Sequence, residues 1–253
     1  MRQVFQAAVT LFALGCGNAM ALDAATVAAI DKAADAFVAL ASDSAKSGQP
    51  PRQTDPAAKP LIDRVLNTSE VQHDVQPISE LGDLSTWTVA VVKVGLVYTL
   101  AGSGVTKVEA IPNDPAVIEK LNHNAAVFAP EMGRYFDAVM WLEGATIDTV
   151  MVFLSKASPS ELERTKKGVA QIRSGAFQSL GGVISTLPTN GIADDWRRQR
   201  LDVFAIIAPK AAKFLLPEDS PRLSDTANAA AAQMTDPNVK SALTSIANIL
   251  TQR

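Results

Sequence analysis

Two charged residues sit where charge is costly. Lys93 is the single charge in the apolar run 86–101, TWTVAVVKVGLVYTLA. Glu143 falls amid Met132, Phe136, Val139, Met140, Ile147, Val150 and Leu154 when 130–155 is wound at about 3.6 residues per turn. Burial disfavours the ionised form of each, so Glu143 must either titrate high or find a partner, and Lys93 is the obvious one. Such a pair reads in two ways. It could be the polar end of an internal pocket, with Lys93 meeting the carboxylate or phosphate of a small apolar or amphipathic ligand, or with Glu143 as the base of a hydrolase. It could equally be an internal salt bridge that fixes the register of two helices, or two long side chains reaching the surface at the bundle's edge.

A second cluster is the run Asp194-Asp195-Trp196-Arg197-Arg198-Gln199-Arg200. Trp196 flanked by Arg197 and Arg200 could anchor a partner or an anionic headgroup, and Trp141, among charges on the far face of the Glu143 helix, is a similar candidate. The plainer account is local. Asp194 and Asp195 complement the positive end of a helix dipole and pair with arginines three or four residues on. Arg134, Asp137, Trp141 and Asp148 share one face, which reads as solvated. The two histidines, His73 in a polar connection and His123 on an exposed helix face beside Glu119, belong to no zinc or triad pattern, so neither metal nor cofactor is expected.

The elements that would position these residues are helices. An apolar run of sixteen residues exceeds a normal strand and suits a helix covered on every side. The expected fold class is all-α, a single irregular bundle of about eight longer helices around this central helix 86–101. A first amphipathic helix spans 23–46, a proline-rich linker 47–60, and a short helix 61–67. Asp114-Pro115, Ser158-Pro159, Ser220-Pro221 and Asp236-Pro237 each place a capping side chain before a proline at the first helical position, and Glu161 completes a capping box with Ser158. Further helices begin near Pro130 and Asp194. Gly168, Gly175 and Gly182 recur every seven residues, and the central helix offers Thr88, Gly95 and Gly102 at the same interval. Since each interior glycine costs about 1 kcal/mol against alanine, the spacing predicts that the two helices cross along these strips.

The N-terminus reads as an export leader, 1–21. Arg2 is followed by the apolar stretch 4–14 and by Ala19-Met20-Ala21, an Ala-x-Ala cleavage site. Cleavage there removes Cys16, the chain's one cysteine; the rival reading retains Cys16 as a lipid anchor. The mature chain would carry 22 basic against 26 acidic residues, a balance that argues against nucleic-acid binding. Ser85–Val105 is long enough to span a bilayer, but Lys93 at its middle would oppose insertion by about 2.5–3.5 kcal/mol. The sequence therefore points to a periplasmic or secreted helical protein that works by non-enzymatic contact with a protein partner. A carrier of a small apolar ligand and a Glu143 hydrolase are the alternatives.

Overall fold

The computed structural model describes residues 24–72, 78–105 and 114–252. The expected leader, Cys16 and His73 lie outside these residues. Among them are nine α-helices and no strand: α1 (Ala24–Lys46), α2 (Lys59–Leu66), α3 (Leu81–Thr99), α4 (Pro115–Val127), α5 (Ala129–Lys156), α6 (Pro159–Thr186), α7 (Asp194–Phe214), α8 (Asp219–Ala232) and α9 (Pro237–Thr251). The fold is an all-α helical bundle.

Local chemistry sets most of the boundaries. Asp114 accepts from the Ala116 amide, Asp236 from the Val239 amide, and Ser158 from the Glu161 amide while Glu161 reaches back to the Ser158 amide. Each satisfies amide donors that a helix start leaves without partners. Ser220 is the exception. The helix begins at Asp219, and Ser220 is buried, its hydroxyl donating to the Leu250 carbonyl at 2.6 Å. A tertiary acceptor on α9 outcompetes the capping role.

One contiguous apolar cluster runs through the helices. The expected buried helix is α3, held from one side by α1 and from another by α5. Trp87, wholly buried, donates from its indole to the Val65 carbonyl at 2.8 Å and so ties α3 to α2. The helix that touches most of the others is α5, which packs on α2, α3, α4, α6 and α7. Close approach to it rests on glycines. A Cβ on Gly95 of α3 would lie 2.5 Å from the Tyr135 ring, and one on Gly144 would lie 2.5 Å from Ile207 Cδ1 of α7.

The predicted crossing of α3 with α6 does not form. Both helices pack on α5, and α6 otherwise lies along α8. Gly175 and Gly182 are buried, in a helix whose main neighbours are α5 and α8.

Helix α5 and the segment Ile78–Thr99 are long and apolar enough to cross a membrane, and more than half of each apolar window is covered by other helices. The proline-rich linker is turned and pinned. Arg52 donates from Nε and Nη2 to the two oxygens of Glu131 at 3.0 and 3.1 Å, and the Gln53 amide adds a third bond at 3.0 Å. Glu131 sits in the first turn of α5, where the helix dipole favours an acid.

Candidate functional site

Lys93 and Glu143 do not meet. The Lys93 ammonium donates to Asp31 at 2.8 Å and Asp35 at 2.6 Å, both on α1. Partial burial pulls its pKa down, but the two carboxylates outweigh this and hold it above the ordinary lysine value. The amphipathic pattern of α1 places Asp31 and Asp35 outward. They are outward, at the seam where α3 emerges, and Lys93 reaches that seam rather than the interior. The amine is thus engaged by two carboxylates of α1.

Glu143 is buried, at 5% exposure. Its neighbour with hydrogen-bonding capacity is the Ser179 hydroxyl of α6, and burial outweighs that hydrogen bond and raises its pKa to about 7. A carboxyl in this setting holds its proton through most of the acid range. Below about pH 7 it is a neutral hydrogen-bonding group between two helices.

The Asp194–Arg200 run is spent internally. Trp196, 9% exposed, donates from its indole to the Ala129 carbonyl at 2.6 Å. Arg200, 7% exposed, grips Asp137 of α5 through Nε and Nη2 at 2.7 and 2.5 Å and lies 5.1 Å from the Trp196 ring centroid. A Cβ on Gly133 would lie 2.7 Å from both Trp196 Nε1 and Arg200 Nη1, so glycine makes room for the insertion. Trp141 is half-buried against the core. Neither tryptophan stands off the surface as a partner anchor would.

The face of α5 expected to be solvated is covered as well. Arg134 pairs with Asp63 at 2.7 Å, Asp137 with Arg200, and Asp148 with Lys210. Burial pushes the Asp137 carboxyl up, and the Arg200 hydrogen bonds only partly offset that. The sequence pattern identifies these positions as polar. It does not show that α2 and α7 supply the opposite charges.

Arg197 has a different part. Its guanidinium donates to the Leu187 carbonyl at 2.8 Å, the Thr189 carbonyl at 3.1 Å and Asp194 at 2.5 Å. These bonds fix the turn between α6 and α7. Gly191, at φ +83°, completes that turn, and a Cβ there would lie 3.2 Å from the Ala126 Cβ of α4, so the turn rests on α4. Helix α4 is itself anchored by Asn124, whose buried amide donates to the Thr99 and Ala101 carbonyls at 3.0 and 2.8 Å and closes the C-terminal end of α3.

Anchoring α4 by that face turns Glu119, Asn122 and His123 toward the α6–α7 turn. Between them lies an open cleft of about 440 Å³, completed by Ser185, Pro188, Thr189, Asn190 and Gln233. Its volume falls within the range of small-ligand sites, roughly 300–1,000 Å³. Seven of its eight lining residues are polar, and Glu119 is the single carboxylate, with no lysine or arginine among them. The lining suits a neutral or cationic polar group bound by amides and hydroxyls.

Ser185, His123 and Glu119 share the cleft but form no hydrogen bond with one another among the described residues. The Ser185 hydroxyl donates to the Gly181 carbonyl at 2.8 Å, along its own helix, rather than to His123. Gln233 likewise donates its amide to the Ala229 carbonyl at 3.2 Å. Among the described residues no donor reaches the oxygen of either side chain. The sequence places His123 and Glu119 together on an exposed face; it does not bring Asn190 and Gln233 to them. The turn signal Pro188-Thr189-Asn190-Gly191 is the available clue. No group of three or more metal-ligating side chains occurs among the described residues. No family model, curated protein or solved structure matches the chain.

Proposed function

We propose that the protein is a non-enzymatic binding protein of the cell envelope, which holds a polar segment of a protein partner in the cleft between α4 and the α6–α7 turn. The observation that carries this reading is the cleft's lining. Hydrogen-bonding side chains from α4, the end of α6, the α6–α7 turn and the end of α8 converge on one concave surface, and Arg197 and Asn124 hold its two walls in place. The envelope address rests on the leader-like 1–21. The contact surface lies away from Trp196 and Arg200, whose polar groups are already engaged.

The test is site-specific photocrosslinking in the native host. A benzophenone side chain at position 123 is expected to give a discrete adduct that is absent with the same probe at Lys32 on α1, and that Glu119→Ala with Asn190→Ala abolishes while the melting temperature holds. The same adduct from both probe positions, or no adduct at 123, would refute the assignment.

A further inference from the structure

The end of the molecule formed by the last turns of α5 and the first turns of α6 is unlike the rest of its surface. Val150–Leu154 are five consecutive apolar residues that carry α5 to the edge of the core. A helix can bury only part of such a run. Val150 is buried and Met151 and Leu154 pack on the core's edge, which leaves Val152 38% exposed and Phe153 half-buried outside the apolar cluster. Leu162, in the first turn of α6, adds a further 38%-exposed apolar side chain.

Charge is concentrated at the same place. Residues 150–167 hold four cations and two acids, in a chain whose net charge is −3. Glu161 is occupied by the capping box with Ser158, and Glu163 lies 3.8 Å from Lys166. Lys156, Arg164 and Lys167 are exposed and form no salt bridge among the described residues. Elsewhere on this protein most arginines are matched to carboxylates, as at Arg52, Arg134, Arg197, Arg198 and Arg200.

We propose that this α5–α6 end is a docking surface for an anionic lipid bilayer, with Val152, Phe153 and Leu162 entering the headgroup boundary and Lys156, Arg164 and Lys167 facing lipid phosphates. Exposed apolar side chains near the same helix ends as cations that form no salt bridge are the combination that interfacial binding requires, because neither the apolar area nor the charge suffices alone. An acidic protein would complement the cations but would give no reason for an apolar run continued beyond the core. The placement also orients the candidate cleft. Ser185 lies at the far end of α6, about 40 Å from Pro159 at 1.5 Å per residue, so a docked molecule holds its cleft away from the bilayer.

The experiment is sedimentation of the purified chain from Leu22 onward, without the leader-like 1–21, with vesicles of equal phosphatidylglycerol and phosphatidylcholine, beside vesicles of phosphatidylcholine alone. Binding to the anionic vesicles is expected to weaken at high salt. Each cation contributes about a fivefold effect at such a surface, so the combined variant Lys156→Gln, Arg164→Gln, Lys167→Gln should lose on the order of 100-fold in partitioning with an unchanged melting temperature. Phe153→Trp supplies a second readout, a blue-shifted emission on anionic vesicles only. No sedimentation with anionic vesicles, equal sedimentation with neutral ones, or full binding by the triple variant overturns the proposal. Capture of an acidic protein without vesicle binding would assign this surface to a protein instead.

Discussion

Replacing Glu143 with glutamine tests whether its carboxyl is kept neutral by burial. The folded carboxyl titrates near 7 and the unfolded one near 4.5. Below 4.5 both states hold the proton and burial carries no ionisation cost. As pH rises through this window the unfolded state releases its proton first, so stability is progressively lost until the folded pKa is passed. A separation of about 2.5 units at 1.36 kcal/mol each gives a loss of about 3 kcal/mol, complete near pH 8. The glutamine side chain would keep the shape and a hydrogen bond to Ser179 but could not ionise. Urea denaturation of wild type and Glu143→Gln at pH 5, 6, 7 and 8 isolates this group, since every other titration cancels in the difference. The variant should exceed wild type by about 1 kcal/mol at pH 5 and about 3 kcal/mol at pH 8, the latter equivalent to roughly 6–12 °C in melting temperature for a chain of this size. A difference that stays constant across the four pH values, or a variant less stable than wild type at pH 8, would refute the reasoning.

Other substitutions probe the frame. Arg200→Met should destabilise by about 3 kcal/mol in urea titration because it leaves the largely covered Asp137 without its partner, and adding Asp137→Asn should recover part of that loss. Gly95→Ala should cost about 1–3 kcal/mol, since the new methyl would lie 2.5 Å from the Tyr135 ring. Gly82→Ala, in the same helix with nothing within 4 Å, should instead raise stability by roughly 0.5 kcal/mol in the same assay. Arg52→Ala should free the linker from Glu131, seen as faster proteolytic cleavage between 47 and 58 and a stability loss of about 2 kcal/mol.

What the sequence reveals here is local order, and what it conceals is pairing. Helix starts at Asp114, Ser158 and Asp236 are readable because the capping side chain and the amide it serves lie within three residues of one another. The burial of Glu143 is readable because helical periodicity places it among apolar neighbours. Lys93 defeats the same reasoning. Its position inside an apolar run implies a buried partner, whereas its flexible four-carbon stem carries the ammonium to Asp31 and Asp35 at the helix seam. Trp196 and Arg200 defeat it in the opposite sense. A dense polar run resembles surface, and only Gly133, distant in sequence, shows that α5 leaves space for the pair to insert. The cleft is legible on one side, at Glu119 and His123, and hidden on the other, because Asn190 and Gln233 arrive through tertiary packing.

The polar contacts along α5 also explain how an alanine-rich bundle settles on one arrangement. Alanine-rich faces such as those of α1 and α8 are smooth, and smooth helices can slide past one another by a turn at little cost in buried area. The charged residues of α5 remove that freedom. Glu131 engages Arg52 of the linker, Arg134 engages Asp63 of α2, and Asp137 and Asp148 engage Arg200 and Lys210 of α7. Shifting α7 along α5 by one turn would break both of its pairs together and leave Asp137 covered and unmatched, a penalty that apolar contacts regained elsewhere would not offset. Net stability from any one of these pairs is small, because desolvation consumes most of the attraction. Their effect is to make alternative registers worse. By the same logic the turn that Arg197 pins is held where α7 is held, so the register of α5 against α7 sets the position of Thr189 and Asn190 and with them the wall of the candidate cleft.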